Sequence, residues 1–250
     1  MKVLSREQCY GLAHSLPDTP ETVNLISQLR RGLANAWIEG KVNALETAVI
    51  EDRNQPGEPH VFGQDPEQIA AVLAQVPGWD CVNAALDIAP QIVPLVEAQT
   101  GCLVRLWGFV YHTLTQPSRV FSHPQVRLLT KEDWPLLEGA PYELQGPNPG
   151  RALFEMRVAG GFVDGRLVAI AQLVATSAKY GEIGVHTLPP YRDQGLSTAA
   201  ASLITQTIQS LGLIPVWACG ENNQPSLHIA QKLGFIETSR RVYLILDRRN

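Results

Sequence analysis

The spacing of apolar and polar positions is clearest in the second half of the chain, where it predicts a sheet of short strands with helices. Asp164-Gly165 separates two runs of strand-forming residues, 160–163 and 166–175. Because an Asp-Gly pair supplies the left-handed conformations of a two-residue turn, it predicts a hairpin. The other predicted elements are a helix over 198–211 with apolar residues at helical spacing, helices over 131–138 and 224–233, strands over 126–129, 182–187, 215–219 and 241–246, and a loop rich in Pro and Gly over 139–150.

The first half predicts alternating strands and helices. Apolar residues at helical spacing predict a helix over 22–37, and Asp65-Pro66-Glu67 has the cap, first-position proline and acidic first turn of a helix start. Alternation of this kind is typical of an α/β layer. Runs of β-branched, aromatic and other apolar residues predict strands over 44–50, 79–86 and 104–114, and the helices that alternate with them are predicted over 65–75 and 90–99.

An irregular stretch separates the two halves. Residues 115–124 contain two prolines and two serines and show little periodicity, which is typical of a linker. We place the boundary near residue 123. The predicted domains are therefore 1–123, an α/β domain of unknown role, and 124–250, and the predicted fold class is α/β (α+β) with a mixed, mostly antiparallel sheet in the second domain.

Composition and charge narrow the class of protein. Of 250 residues, 45% are hydrophobic and 18% are charged, which is enough apolar material for a core. The formal net charge of −4 argues against a general affinity for nucleic acid. Residues 1–125 carry 8 Lys/Arg and 13 Asp/Glu, whereas residues 126–250 carry 12 and 11, so a polyanionic ligand is favoured in the second half.

The four cysteines predict neither a metal site nor a disulfide framework. Cys9, Cys81, Cys102 and Cys219 form no C-x-x-C pair, and their spacing differs from that of small secreted proteins. The first residues lack the apolar core of a signal peptide, and no apolar run approaches the ~20 residues that span a bilayer. We expect a cytoplasmic protein with no metal and no membrane partner, and leave its oligomeric state open, a homodimer included.

The segment that indicates chemistry is Leu188-Pro189-Pro190-Tyr191-Arg192-Asp193-Gln194-Gly195-Leu196-Ser197-Thr198, between a predicted strand and a predicted helix. The first turn of a helix has free N–H donors and the positive end of the dipole, which together favour a pyrophosphate. Gly195 allows close approach of the backbone to phosphate oxygens, and Arg192 adds charge. The alternative interpretation is a strand, a turn and a helix cap without a ligand.

Two motifs resemble those of the GNAT (Gcn5-related N-acetyltransferase) superfamily. P-x-Y-R-x-x-G-x-S is similar to its Q/R-x-x-G-x-G/A motif, with Ser197 at the last small position. Asn223-Gln224-Pro225-Ser226 followed by Lys232-Leu233-Gly234-Phe235 resembles its N-x-x-S/A … K-x-G-F signature. The sequence around both motifs most resembles that of the bacterial zwittermicin-resistance-type group of GNAT proteins. The resemblance covers about half the chain and implies the GNAT fold for residues 124–250.

The resemblance implies an acetyl-CoA site. The backbone of the strand before the loop would bind the pantetheine amides, and the loop would bind the pyrophosphate. Asn223, which the residues alone predict as a helix cap, would bind the cofactor arm with Ser226 nearby. The implied cofactor-binding residues are Val185, His186, Thr187, Arg192, Asp193, Gln194, Gly195, Leu196, Ser197, Thr198, Asn223 and Ser226.

The candidate catalytic residues are Glu182 and His186. The alternative interpretation is that Glu182 is an exposed residue after a turn and that His186 is a packed or surface histidine without a catalytic role. Strand alternation places both on one face with Gly184, unless a bulge changes the parity. The sequence departs from the family at Ala230, where many GNAT enzymes carry the tyrosine that serves as general acid. The candidates to replace this tyrosine as general acid are His228, Ser226 and water.

The resemblance implies transfer of acetyl from acetyl-CoA to the primary amine of a small molecule in a ternary complex. The alternatives are an acyl-CoA-binding sensor without catalysis, which the missing tyrosine favours, and a protein or peptide N-acetyltransferase. We expect the first domain, either unrelated or a degenerate copy of the GNAT plan, to pack on the second and complete the acceptor pocket.

Overall fold

The computed structural model describes residues 1–146 and 148–248, which group into two units. Unit 1 contains Met1–Val110, the short segment Gly220–Asn222 and the end of the chain from Ser239. Unit 2 contains Tyr111–Cys219 and Asn223–Thr238. The domains 1–123 and 124–250 stay a prediction, because the grouping of residues in space does not establish which segments fold independently.

Unit 1 has helices packed on both faces of its strands. Consecutive residues of the third strand alternate between two cores: Ala48 and Ile50 pack with the first two helices, and Val49 packs with the next two. Its elements, with strand β6 running on into unit 2, are β1 (Lys2–Val3), α1 (Arg6–Ser15), α2 (Val23–Arg31), β2 (Ala34–Lys41), β3 (Ala44–Asp52), β4 (His60–Gly63), α3 (Pro66–Leu73), β5 (Cys81–Ala85), α4 (Ala89–Thr100) and β6 (Leu103–Thr113).

Unit 2 is built around the predicted hairpin. Asp164 has φ 49° and Gly165 has φ 72°, the left-handed pair that a two-residue type I′ turn requires. The elements, with the last strand ending in unit 1, are β7 (Val126–Leu128), α5 (Trp134–Glu138), α6 (Tyr142–Gln145), α7 (Pro149–Phe154), β8 (Val158–Val163), β9 (Arg166–Thr176), β10 (Tyr180–Thr187), α8 (Leu196–Ser210), β11 (Ile214–Gly220), α9 (Gln224–Leu233) and β12 (Ile236–Asp247).

The order of elements in unit 2 repeats that of unit 1. Each has a strand, helices, three strands, a helix, a strand, a helix and a last strand. The strands lie in the order β1-β2-β3-β4-β5-β12-β6 in unit 1 and β11-β10-β9-β8-β7 in unit 2. Among the pairings of the described residues, β4 with β5 in unit 1 and β10 with β11 in unit 2 are parallel, and strands such as β3 with β4 and β9 with β10 are antiparallel. The prediction of a mixed, mostly antiparallel sheet is therefore confirmed.

Two local predictions are wrong. The helix predicted over 22–37 ends at Arg31, because Gly32 takes the left-handed conformation (φ 67°) and closes the helix before β2 begins. The loop predicted over 139–150 contains α6 and the start of α7. Pro141 and Pro149 lie at the beginnings of these helices, where the missing N–H of proline costs no hydrogen bond.

A buried arginine links three strands of unit 1. Arg241 on β12 is 7% exposed, and its guanidinium donates to the carbonyl oxygens of Val61 on β4 (2.8 Å) and Asn83 on β5 (3.2 Å). It also donates to the side-chain oxygen of Asn83 and lies 4.9 Å from the ring centre of Phe62. The parallel ladder joins β4 to β5 at His60 and Asn83. Next to that pair, the guanidinium bridges the two strands. Burial, and then the charge of Arg241, lower the pKa of His60 to about 3.

We expect Arg241→Ala to lower the free energy of unfolding by about 3 kcal/mol or more, because buried acceptors left without a donor cost ~1–3 kcal/mol each. The control is Arg240→Ala at the neighbouring position, since the side chain of Arg240 is 45% exposed and its ion pair with Glu221 is 3.4 Å long. An exposed pair of this kind contributes at most ~1 kcal/mol. Urea denaturation followed by tryptophan fluorescence measures both variants, and equal losses would contradict the bridging role of Arg241.

Candidate functional site

The two parallel strands of unit 2 open into a fork. β10 and β11 pair from Tyr180 and Ile214 to Glu182 and Val216. After that point, β10 remains paired with β9 through Thr187, but its edge towards β11 is no longer part of the parallel ladder. Backbone groups on that edge are available to a ligand that enters between the strands.

The loop after β10 presents backbone amides at the start of α8. Asp193 (φ 61°) and Gly195 (φ 80°) are both left-handed, so the chain bends twice before the helix begins. The N–H of Ala199 bonds to the carbonyl of Gly195 at 3.1 Å, and the three preceding amides have no intrahelical partner. Among the described residues, no side chain caps this end of the helix. The loop is therefore bent and open, as an anion site requires.

Three contacts hold the loop in place. Leu196 is 1% exposed and packs with Val168 and Ala169 of β9. The hydroxyl of Ser197 is hydrogen-bonded to the hydroxyl of Thr187 at the end of β10. The Nε of Arg192 donates to the carbonyl of Thr187 at 3.3 Å. The amides are thus fixed relative to the fork before any ligand arrives.

The opposite wall is the start of α9. Asn223 caps this helix by accepting a hydrogen bond from the N–H of Ser226 at 3.2 Å, so the helix-cap interpretation of Asn223 is confirmed. The indole Nε1 of Trp217 on β11 donates to the Oγ of Ser226 at 2.9 Å. Ala230, one turn further along α9, is fully buried.

A cavity of about 740 Å³ lies between these walls. Every residue predicted to bind the cofactor lines it, from the strand, the loop and α9. Of the two candidate catalytic residues, His186 lines the cavity, whereas Glu182 lies outside the lining set, at the base of the fork. The lining residues are Val185, His186, Thr187, Tyr191, Arg192, Asp193, Gln194, Gly195, Leu196, Ser197, Thr198, Trp217, Asn223, Pro225, Ser226, His228, Ile229 and Lys232.

One face of α9 was not predicted to bind the cofactor, although His228 on that face was a candidate substitute for the missing tyrosine. Pro225, His228, Ile229 and Lys232 follow the spacing i, i+3, i+4 and i+7, which places them on one side of a helix. That spacing was visible in the sequence. The spacing did not indicate a cavity, because a stripe of this kind is equally typical of a helix face that packs on the core or lies in solvent.

A bulge lies between β9 and β10, but its extra residue is on β9 and not on β10. Glu182 pairs with Ala175 and Ile183 pairs with Leu173, so Val174 is the additional residue. Alternation along β10 is kept. A methyl group on Gly181 would come 2.9 Å from Ile208 of α8, so the odd-numbered side chains face that helix. Glu182 and His186 therefore share the other face.

The charges around the cavity favour a neutral imidazole beside cations. Burial lowers the pKa of His186, and the positive charge of Arg192 lowers it further, while Glu143 on α6 acts in the opposite direction. Lys232 adds a second cationic side chain to the lining, and Asp193 adds one carboxylate. A neutral histidine can accept a proton, and the two cations suit a polyanionic ligand.

Comparison with known proteins finds a family match for part of unit 2. A family model described as GNAT acetyltransferase matches residues 160–243. None of the curated proteins matches the chain. Residues 160–243 thus match the GNAT acetyltransferase family, in agreement with the two motifs, while membership of the zwittermicin-resistance-type group stays a prediction. GNAT proteins generally use acetyl-CoA as a substrate.

Solved structures share the fold over nearly the whole chain. A GCN5-related N-acetyltransferase-like protein from Streptococcus suis has a TM-score of 0.68 at 18% identity, covering 96% of this chain and 99% of its own. A GNAT-family acetyltransferase from Colwellia psychrerythraea has a TM-score of 0.64 at 12% identity, with coverages of 99% and 100%. A tandem GNAT protein from the clavulanic acid biosynthesis pathway has a TM-score of 0.58 at 14% identity, with coverages of 96% and 92%.

Within residues 1–146 and 148–248, no group of three or more His, Cys, Asp or Glu side chains has the arrangement of a metal site. No helix in this part of the chain combines the length and apolarity needed to cross a membrane.

We expect the imidazole of His186 to titrate below the usual pKa of histidine. Arg192→Gln should raise this pKa, because it removes the nearby positive charge, and Glu143→Gln should lower it, because it removes the opposing negative charge. Histidine C–H resonances followed by NMR across pH 4–8 measure the three values. Identical titrations in both variants would contradict the charge arrangement described above.

Proposed function

We propose that unit 2 binds acyl-CoA, with the diphosphate against the N–H groups of the loop before α8. The observation that carries the proposal is the row of amides at residues 196–198, which are without intrahelical partners and are reached through two left-handed residues. The positive end of the helix dipole and Arg192 favour the negative charge there. Ser197 and Thr198 add hydroxyl donors beside it.

The β10/β11 fork is the proposed site of the pantetheine arm and the thioester. The backbone of Val185, His186 and Thr187 would pair with the pantetheine amides and direct the acyl carbonyl towards the fork. Because the side-chain oxygen of Asn223 caps α9, its amide NH₂ is the group left to donate to the cofactor arm. Ser226 lies beside it in the same wall.

The reaction we propose is acetyl transfer to a primary amine by direct attack. The nitrogen forms a bond with the thioester carbonyl carbon, the carbon–sulfur bond breaks, and the ammonium proton passes to a base. His186 is the nearer acceptor because it lines the cavity and favours its neutral form. Glu182, on the same face at the base of the fork, is the second, and it would act through water.

Unit 1 does not repeat the anion site. At the corresponding helix start, Asp65 caps α3 by accepting hydrogen bonds from the N–H groups of Glu67 and Gln68. One carboxylate, that of Asp65, therefore occupies the position where unit 2 leaves amides open. Arg241 bridges β4 and β5 where unit 2 has its fork. We infer one acyl-CoA for each chain.

Two alternatives use the same cavity. An acyl-CoA-binding module without catalysis is favoured by the burial of Ala230, which leaves no hydroxyl at the position of the family's usual tyrosine. A protein or peptide acetyltransferase differs from the first proposal only in the size of the acceptor. Turnover of acetyl-CoA with a panel of small amines, and then of short peptides, distinguishes the three. CoA binding without turnover of either set would favour the binding module.

We expect Gly195→Asp to weaken acetyl-CoA binding at least tenfold, because it places a carboxylate at the cap position that Asp65 occupies in unit 1. A tenfold change corresponds to about 1.4 kcal/mol. Isothermal titration calorimetry should give one site per wild-type chain.

Gly165→Asp is the matched control for this variant. Gly165 is also left-handed (φ 72°), and nothing lies within 4 Å of an added Cβ, so the backbone strain is similar but the position is in the hairpin turn. Its affinity for acetyl-CoA should equal that of the wild type. Comparable weakening in both glycine variants would attribute the loss to strain and count against the anion site.

We expect one of the two variants His186→Gln and Glu182→Gln to reduce kcat/KM by about 10²–10⁴, the usual range for general base catalysis. That variant is the one that removes the base. The other variant should retain most activity. Glu182→Gln should leave the affinity for acetyl-CoA unchanged, since Glu182 lies outside the cavity lining. Steady-state kinetics with the best amine from the panel measures both, and full activity in both variants would exclude these two side chains as bases.

A further inference from the structure

The proposed reaction leaves a negative charge on sulfur. When the carbon–sulfur bond breaks, the electron pair stays with the CoA sulfur, and a nearby donor must stabilise the thiolate until it takes a proton. Ala230 supplies no donor, because its side chain is a methyl group that is fully buried in the core. Any protein donor must therefore come from another residue that lines the cavity.

Ser226 is one helical turn before Ala230 on α9 and lines the cavity. Its hydroxyl oxygen accepts the indole N–H of Trp217 at 2.9 Å. An indole nitrogen is a donor only, so the direction of this bond is fixed and the hydroxyl proton of Ser226 points elsewhere. The N–H of Ser226 bonds to the side chain of Asn223, which fixes the backbone of the same residue.

The electrostatic environment of one protein thiol includes this hydroxyl. A hydrogen bond from Ser226 lowers the pKa of the Cys219 thiol on β11, although burial, the larger effect, raises that pKa overall. The hydroxyl can therefore donate to sulfur, and it must turn from the Cys219 thiol to reach a CoA thiolate in the cavity. Trp217 is only 3% exposed and packs against Phe235 with ring centres 5.8 Å apart, so the indole that orients the hydroxyl is held firmly.

We propose that the Ser226 hydroxyl, oriented by the indole N–H of Trp217, donates a hydrogen bond to the sulfur of the departing CoA thiolate. The inference rests on the proposed function, since it requires CoA in the cavity. In this arrangement, Ser226 contacts the leaving group and Trp217 is a positioning residue. The proton that the amine loses goes to His186 or Glu182, and the thiolate takes its proton from solvent when CoA leaves.

The test is the pKa of the CoA thiol when CoA is bound to the full chain. A ¹³C label on the CoA methylene next to sulfur reports the thiol alone, without interference from the four cysteines of the protein. A hydrogen bond to the thiolate lowers the thiol pKa. We expect the wild type to lower it relative to free CoA, and Ser226→Ala to raise the bound value by about one pH unit, a tenfold change in the acid constant.

Two variants separate this role from a structural one. Ser226→Thr keeps the hydroxyl and should keep the wild-type titration. Trp217→Phe removes the indole N–H but keeps an aromatic ring, and should raise the thiol pKa by less than Ser226→Ala does. Other titrating or charged groups around the cavity are His186 on β10, Tyr191, Arg192 and Asp193 in the loop, Cys219 on β11, and His228 and Lys232 on α9, and Glu143 on α6 acts on His186. None of these residues is substituted in the variants, and the label on CoA separates its titration from that of Cys219.

The outcomes distinguish the two proposals. If calorimetry shows no CoA binding to the wild type, the proposed function fails and this inference fails with it. If CoA binds but its thiol titrates alike in the wild type and Ser226→Ala, only this inference is overturned. A Ser226→Ala variant that binds CoA more weakly with an unchanged thiol titration also overturns it, because Ser226 would then bind only the cofactor arm.

Discussion

The anion site proposed for unit 2 depends on the first amides of α8, which no side chain caps within the part of the chain that the structure describes. Most helices satisfy these donors with a side chain at the cap position, which stabilises the helix by about 0.5–2 kcal/mol. Here the cap position is Gly195, which provides no side chain, and Asp193 adopts a left-handed conformation that few residues tolerate. Buried Leu196 and the Ser197–Thr187 hydrogen bond offset these costs and hold the open amides in place.

The two units show that the same order of elements does not determine the same chemistry. In unit 1 the helix after the third strand of the meander is α3, and in unit 2 it is α8. Asp65 fills the hydrogen-bonding positions at the start of α3, whereas Gly195 leaves those of α8 open. The change of one cap residue reverses the charge presented at that site. Arg241 completes the difference by bridging the strands whose counterparts form the fork.

Local sequence signals predicted the features that depend on neighbouring residues. The Asp164-Gly165 turn and the loop at 192–197 follow from the conformations that a few adjacent residues allow. Where the predictions failed, one residue outweighed a periodic pattern. Gly32 ended a helix that apolar spacing extended to residue 37, and prolines interpreted as breakers began two helices. The four-residue strand β4 was too short to give a pattern at all.

Contacts between residues far apart in the chain could not be predicted from the sequence. Arg241 binds Asn83 across 158 positions, and nothing near either residue indicates that the last strand of the chain pairs with β5. The stripe on α9 is similar, since its spacing was visible but its cavity depends on the fork opposite. The cap at Asn223 and the donor from Trp217 place Ser226 at that wall through contacts with different elements. Sequence motifs therefore located the loop proposed to bind the diphosphate, while the wall facing it required the three-dimensional arrangement of β11 and α9.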